Sequence, residues 1–151
     1  METTRQDIAH YIGHYPRYQE SIPEEVLIHD DYVVSFAQNA DELVEILKLR
    51  YEVFHREIHG VEAVLGLDED RFDLNCHHLM ITHQPTHTVV GTYRLQTSDM
   101  ANHHHGFYSN QEYQLHQLPD EILSSATEIG RVCVAKNHRN GKVLQLLWKG
   151  I

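Results

Sequence analysis

The sequence predicts an α/β domain with a mixed, largely antiparallel sheet flanked by helices, and three observations point to it. Two β-rich runs, HHLMITH (77–83) and TVVGTYRLQT (88–97), are separated only by Gln84, Pro85, Thr86 and His87, a hairpin pattern. Ahead of them, Leu43, Ile46, Leu47 and Phe54 keep helical spacing. Near the end, the apolar run in TEIGRVCVAKNHR (127–139) reads as a strand that stops in a polar turn, and the helical GKVLQLLWKGI (141–151) follows.

Taken in order, residues 1–31 form an N-terminal extension, weakly helical, with Pro16 and Pro23 as breakers. YVVSFAQ (32–38) is β-rich and predicts a strand, and Asn39 or Asp41 can cap the helix after it. Arg50 lies between Leu47 and Phe54 on the apolar face of that helix, and residues 60–73 read as an acidic loop. After the hairpin, an irregular stretch containing His103, His104 and His105 leads to GFYSNQEYQL (106–115) and then to the last strand and helix. The order β-α-β-β-insert-β-α over 32–151 is one mixed α/β domain, long enough to bury a sizeable core.

Hydrophobic residues make up 41% and charged residues 23% of the 151 positions, ordinary values for a globular chain. No apolar stretch approaches the ~20 residues of a membrane span. The N-terminus lacks the apolar segment of a signal peptide, so a cytoplasmic location is expected. A net charge of -10 argues against nucleic-acid binding. The charge is unevenly placed. From Ile129 onward there is no Asp or Glu, while Arg131, Lys136, Arg139, Lys142 and Lys149 give +5. Such a segment suits a localised anionic ligand or an acidic partner surface, or simply balances the acidic body.

Fourteen histidines raise the question of metal, but they form no zinc pattern with cysteines and no helical His-x-x-x-His. Asp68, Asp70 and Asp73 resemble the start of a calcium loop, yet Phe72 falls where an oxygen ligand is required. No metal is expected. Cys76 and Cys133 read as free, buried thiols rather than a disulfide.

Several separated motifs stand in a set order: LRYEVFHRE (49–57), LDEDRFDLNCHHLM (67–80), VVGTYRL (89–95), GFYSNQEYQL (106–115), EIGRVCV (128–134) and LLWKGI (146–151). Together they resemble the GNAT superfamily. The pattern is closest to the hemolysin-like and ornithine-lipid-type N-acyltransferases, the N-acyl amino acid synthase branch, which is related to acyl-homoserine-lactone synthases. The resemblance implies transfer of a fatty acyl group from a thioester to the amine of an amino acid such as ornithine. The donor would be acyl-acyl carrier protein or acyl-coenzyme A, with no tightly bound cofactor. Acyl carrier protein and a small-molecule amine are thus the implied partners, and the resemblance also admits peripheral membrane contact and a homo-oligomer. The rival readings are a lactone-type autoinducer synthase, or an inactive domain that binds a carrier protein or a partner chain. The family continues past the last helix with another strand, so C-terminal strands are expected to be missing from a chain ending at Ile151, and little activity is expected of it alone.

Aminolysis of a thioester needs an unprotonated amine and donors for the developing oxyanion. Glu128 is the candidate base, with Arg131 beside it in the catalytic set; the alternative is a structural ion pair between the two. In a regular strand, positions 128 and 131 point to opposite faces. A bulge at Gly130 would bring them to one cleft and free a backbone N–H near Val132 or Cys133 for the thioester oxygen. Arg94 within a strand and Arg50 on an apolar helix face each require a carboxylate, from the protein or from substrate. By resemblance, Arg50, Asp70, Asp73, Arg94 and Phe107 bind substrate, although Phe107 and Phe54 also read as core. By the same resemblance Val132, Cys133 and Val134 bind the acyl donor, together with Arg139 and Gly141 of a degenerate pyrophosphate-type loop, His138 to Val143.

Overall fold

The computed structural model describes residues 5–60 and 66–151. Among these residues five strands form one sheet: β1 (Leu27–His29), β2 (Tyr32–Phe36), β3 (His77–His83), β4 (Thr88–Thr97) and β5 (Thr127–Val134). They lie side by side in chain order, and every neighbouring pair is antiparallel. Helices α1 (Arg5–Ile12), α2 (Ala40–Tyr51), α3 (Ser98–His103), α4 (Asp120–Ser125) and α5 (Lys142–Lys149) surround it. No described helix is long and apolar enough to cross a membrane.

Alternation along the strands divides the core in two. Leu79 and Ile81 of β3 face Val143, Leu146 and Leu147 of α5, together with Val34 and Tyr93. Met80, between them, turns to the other face and joins Leu43, Ile46 and Leu47 of α2 and Ile12 and Tyr15. Because both faces are covered, β3 is buried over five consecutive residues, His77 to Ile81, rather than at alternate ones. Helix α5 packs tightly on the sheet at Gly91, where a Cβ would stand 2.7 Å from Val143 Cγ1.

Asn39 caps α2: its backbone is extended and its side chain accepts the Glu42 N–H at 3.0 Å. Glu42 reciprocates by accepting the Gln38 N–H at 2.6 Å. Past Tyr51 the helix continues as a wider π-type turn over Glu52–Glu57, which carries Phe54.

Two parts of the sequence reading change. The boundary at residue 32 falls inside a two-residue hairpin, since His29 pairs with Tyr32 and Asp30 takes a positive φ of 52°. The extension therefore contributes β1, as well as Ile12 and Tyr15, to the folded unit; β1 is mostly exposed and carries no alternating signature. The irregular insert contains α3 and α4, each six residues and too short to show helical periodicity. Of the acidic loop, residues 61–65 lie outside the described residues.

Candidate active site

A lattice of arginines and aspartates lies beneath the site. Arg50 sits one helical repeat beyond Leu43 and so on the buried face of α2, where it is 1% exposed. The loop after residue 66 supplies its partners: Nε donates to Asp68 Oδ2 at 2.8 Å and Nη1 to Asp73 Oδ1 at 2.6 Å. Arg94 of β4 donates through Nη1 to both oxygens of Asp70, at 2.6 and 2.7 Å, and to Asp73 Oδ1 at 3.0 Å. The loop also holds its own acids, because the Asp70 N–H donates to Asp73 Oδ2 at 2.8 Å. Burial opposes the charge on Asp73, but Arg50 first and Arg94 further on outweigh it, and the carboxyl is held at about 2. Asp68 is lowered against its burial by Arg50 and by the His55 hydrogen bond. His78, in contrast, is pushed down to about 4 by burial, with its Nε2–H donating to the Asp73 carbonyl at 2.7 Å. All three aspartates of the calcium-like triplet are therefore taken by arginine. Among the described residues, no group of three or more His, Cys, Asp or Glu is arranged for a metal ion.

The bulge is present, one residue later than the sequence reading placed it. Thr92 pairs with Cys133 and Arg94 with Gly130, so Arg131 and Val132 together oppose the single residue Tyr93. Arg131 makes the kink in the left-handed region, with φ 51°. That conformation costs a residue with a Cβ about 1–2 kcal/mol. Gly130 keeps a negative φ, and a Cβ there would meet nothing within 4 Å. Its missing side chain serves space rather than backbone freedom.

Because Arg94 lies opposite Gly130 and Gln96 opposite Glu128, these four positions form a two-by-two patch on one face of the β4–β5 ladder. Above it opens a cleft of about 340 Å³, whose wall includes Glu128, Gly130 and Arg131 from β5 and Arg94 and Gln96 from β4. Phe54, Ile129, Val132 and Cys76 add apolar surface, and Tyr108 and Ser109 close one side. The Tyr108 ring has two guanidinium groups near it, its centroid 5.1 Å from Arg94 Cζ and 5.7 Å from Arg131 Cζ. Arg131 Nη2 is 3.6 Å from Asp70 Oδ2, while its buried Nε has no hydrogen-bond partner.

Glu128 is not paired with Arg131. Its Oε1 accepts the Tyr108 N–H and its Oε2 the Ser109 N–H, both at 2.8 Å, and the Ser109 hydroxyl donates to Oε2 as well. The carboxylate thus caps the 3-10 turn Tyr108–Gln111. A carboxylate offers about four lone-pair sites, and three are occupied, leaving one on Oε1.

The remaining sequence candidates do not line this cleft. Arg50 and Asp73 are each 1% exposed and brace it from below. Asp70 holds Arg94 and Arg131 in place. Phe107 lines a separate surface groove with Asn110 and Leu115. Cys133 packs against Leu49 and Val53 on the same face of the ladder, beneath α2 and beside the cleft, and burial pushes its thiol up to about 12. Val134 packs against the α5-side core. Arg139 donates to the Val134 carbonyl and pairs with Glu57, and Gly141 makes the left-handed entry to α5. Lys142 pairs with Asp30, so three of the five C-terminal basic residues, Arg131, Arg139 and Lys142, are paired with acids from elsewhere in the chain. Asp68, Gln96, Tyr108 and Ser109 were absent from the sequence-based set. Asp68 was visible in the acid run, whereas the cap on Glu128 comes from residues about twenty positions away and has no local signal.

Fold and site together define a mixed α/β domain, an antiparallel meander with a bulge in its fifth strand bordering a cleft that holds an acid and two arginines. Residues 49–149 match the acetyltransferase (GNAT) domain, and the chain belongs to that family. It is 38% identical over 116 residues to an L-ornithine N(alpha)-acyltransferase of Brucella abortus, covering 68% of this chain and 40% of that protein. It is 32% identical over 129 residues to the enzyme of the same name from Rhodobacter capsulatus, covering 80% of this chain and 49% of that one. The chain thus spans less than half the length of these relatives. Among solved structures, the AHL synthase LasI overlaps with a TM-score of 0.47 at 16% identity, covering 78% of this chain and 57% of LasI, too partial a likeness to bear on function.

Proposed function

We propose that this chain carries the acceptor and acyl-transfer site of an N-acyltransferase, moving an acyl group from a thioester to the amine of an amino acid. L-ornithine, named in the relatives, is the proposed acceptor, and acyl carrier protein or coenzyme A the proposed carrier of the acyl group. The observation that carries this reading is the convergence of Glu128 with Arg94 and Arg131 on one cleft, beside two residues of β5 that have no ladder partner on β4.

In this reading the acceptor ammonium gives one proton to the open lone pair of Glu128, directly or through water, and its nitrogen attacks the thioester carbonyl. The oxyanion develops beside the backbone of Arg131 and Val132, where the bulge departs from the ladder. The C–S bond then breaks. The sulfur leaves as a thiol with a second proton from the nitrogen, and the product amide keeps one N–H. Arg131 and Arg94 face the acceptor carboxylate, whose charge they match.

The test supplies acyl-acyl carrier protein or acyl-coenzyme A with a panel of amines including L-ornithine and S-adenosylmethionine, and identifies products by mass. N-acyl-ornithine is the expected product; a lactone from S-adenosylmethionine would support the synthase reading, and no acylated amine would overturn the proposal. Glu128→Gln should lower kcat by about 10²–10⁴. It also turns an amide N–H₂ toward a backbone donor of the 108–111 turn. Ser109→Ala, which removes one cap bond and keeps the charge, is therefore the control.

A further inference from the structure

Five buried side-chain polar atoms lack a hydrogen-bond partner among the described residues, and two of them belong to the cleft wall: Gln96 Oε1 and Arg131 Nε. One is an acceptor and the other a donor. Gln96 is 2% exposed, and an unpaired buried amide oxygen is costly enough that native proteins rarely keep one without a use. The orientation of the amide is set from behind: Nε2 donates to the Gly106 carbonyl at 3.2 Å, and Gly106 lies in the neighbouring groove rather than in this cleft. Turning the amide over would oppose two carbonyl oxygens, so Oε1 is the atom left without a partner.

We infer that Gln96 is a substrate-binding residue whose side-chain carbonyl accepts an N–H of the acceptor's primary amine. Its place supports this. Gln96 is directly opposite Glu128 in the ladder, which puts the two Cβ atoms about 4.5–5.5 Å apart on one face. An ammonium has three N–H donors. A single acceptor leaves it free to rotate, whereas two acceptors side by side fix it. Glu128 has one lone pair to give and takes the proton, so the nitrogen lone pair first points at Glu128. The hydrogen bond to Gln96 Oε1 then restricts the rotation about the C–N bond by which that lone pair turns to the thioester. Gln96 makes and breaks no bond; it orients. The match of an orphan acceptor and an orphan donor across one cleft also suits a zwitterion, with the ammonium toward Gln96 and Glu128 and the carboxylate toward Arg131.

This inference rests on the acyl-transfer reading, and the experiment separates the two. Binding of L-ornithine and of Nα,Nα-dimethyl-L-ornithine, whose ammonium keeps one N–H for the two acceptors, is measured calorimetrically on the full chain and on Gln96→Met, a variant of similar shape without the acceptor. Wild type should prefer L-ornithine about tenfold, and Gln96→Met less than about twofold, with the KM for the acyl donor unchanged in turnover assays. A purely structural role for Gln96 would weaken both ligands equally and leave the ratio intact, which overturns the assignment. A second measurement needs no variant: the side-chain ¹⁵N amide signals of Gln96 should move on titration with L-ornithine, and immobility at saturation also overturns it. Wild-type protein that acylates ornithine while Gln96→Met keeps its discrimination removes only the role of Gln96. Wild-type protein that neither binds nor acylates any amine removes the acyl-transfer reading and this inference with it.

Discussion

Arg50 and Asp73 form an ion pair almost wholly removed from water, each 1% exposed, with Nη1 2.6 Å from Oδ1. Deleting one member of such a pair leaves the other charge buried and uncompensated, which costs about 3–5 kcal/mol. Arg50→Met should lose that much in urea unfolding. A change within about 0.5 kcal/mol would show that Arg50 braces nothing and belongs with the substrate contacts instead.

Acid should weaken the fold in two separate windows. His78 has a folded value of about 4, below its ordinary 6.5, so between these the unfolded chain binds a proton that the folded chain does not. Stability therefore falls as pH drops from 6.5 to 4, by on the order of 3 kcal/mol. Asp73, held at about 2 against an ordinary 3.8, keeps its contribution until pH passes below 3.8. Chemical denaturation at a series of pH values should show a shallower slope between 4 and 6.5 for His78→Gln than for wild type. Equal slopes would mean that His78 is not buried as a neutral ring.

The left-handed backbone at Arg131 separates two substitutions that both remove the guanidinium. Arg131→Gly adopts φ 51° freely, whereas Arg131→Ala keeps the steric conflict. The glycine variant should be the more stable by about 1 kcal/mol, and both should be defective in acyl transfer. An alanine variant at least as stable as the glycine one would argue that the bulge relaxes when the side chain is lost.

Two glycines should behave in opposite ways. Gly91→Ala drives a methyl into Val143 and should cost about 1–3 kcal/mol by overpacking. Gly130→Val puts its side chain into the open cleft, so the melting temperature should move by no more than about 2 °C while activity falls. Retained activity in a folded Gly130→Val protein would exclude this space as the place of reaction.

The sheet was readable where β-rich runs of seven or more residues carry an apolar centre, as in β3, β4 and β5. It was unreadable at β1, which is three residues long and mostly exposed, and in the six-residue helices of the insert. Arg50 and Arg94 announced themselves as charges in apolar settings, and their partners fell in the acid run. What the pattern could not reveal is the rotation that the bulge imposes. A kink at Arg131 rather than Gly130 is a choice between two neighbouring backbones, decided by pairing with β4. The cap on Glu128 was hidden for the same reason, since Tyr108 and Ser109 reach it only after the insert has folded back.

Chain order around the charge lattice has a consequence for synthesis. Arg50, Asp68, Asp70, Asp73 and Arg94 all precede residue 95, and each arginine finds its aspartates within that span. Strands β1 to β4 with α2 can therefore neutralise their buried charges while the rest of the polypeptide is still on the ribosome. Glu128 and Arg131 arrive later, on a strand that adds to a scaffold whose ion pairs are already closed. The acid and the third arginine are laid onto an assembled frame, so neither buried cation has to wait, unpaired, for the end of the chain to be made.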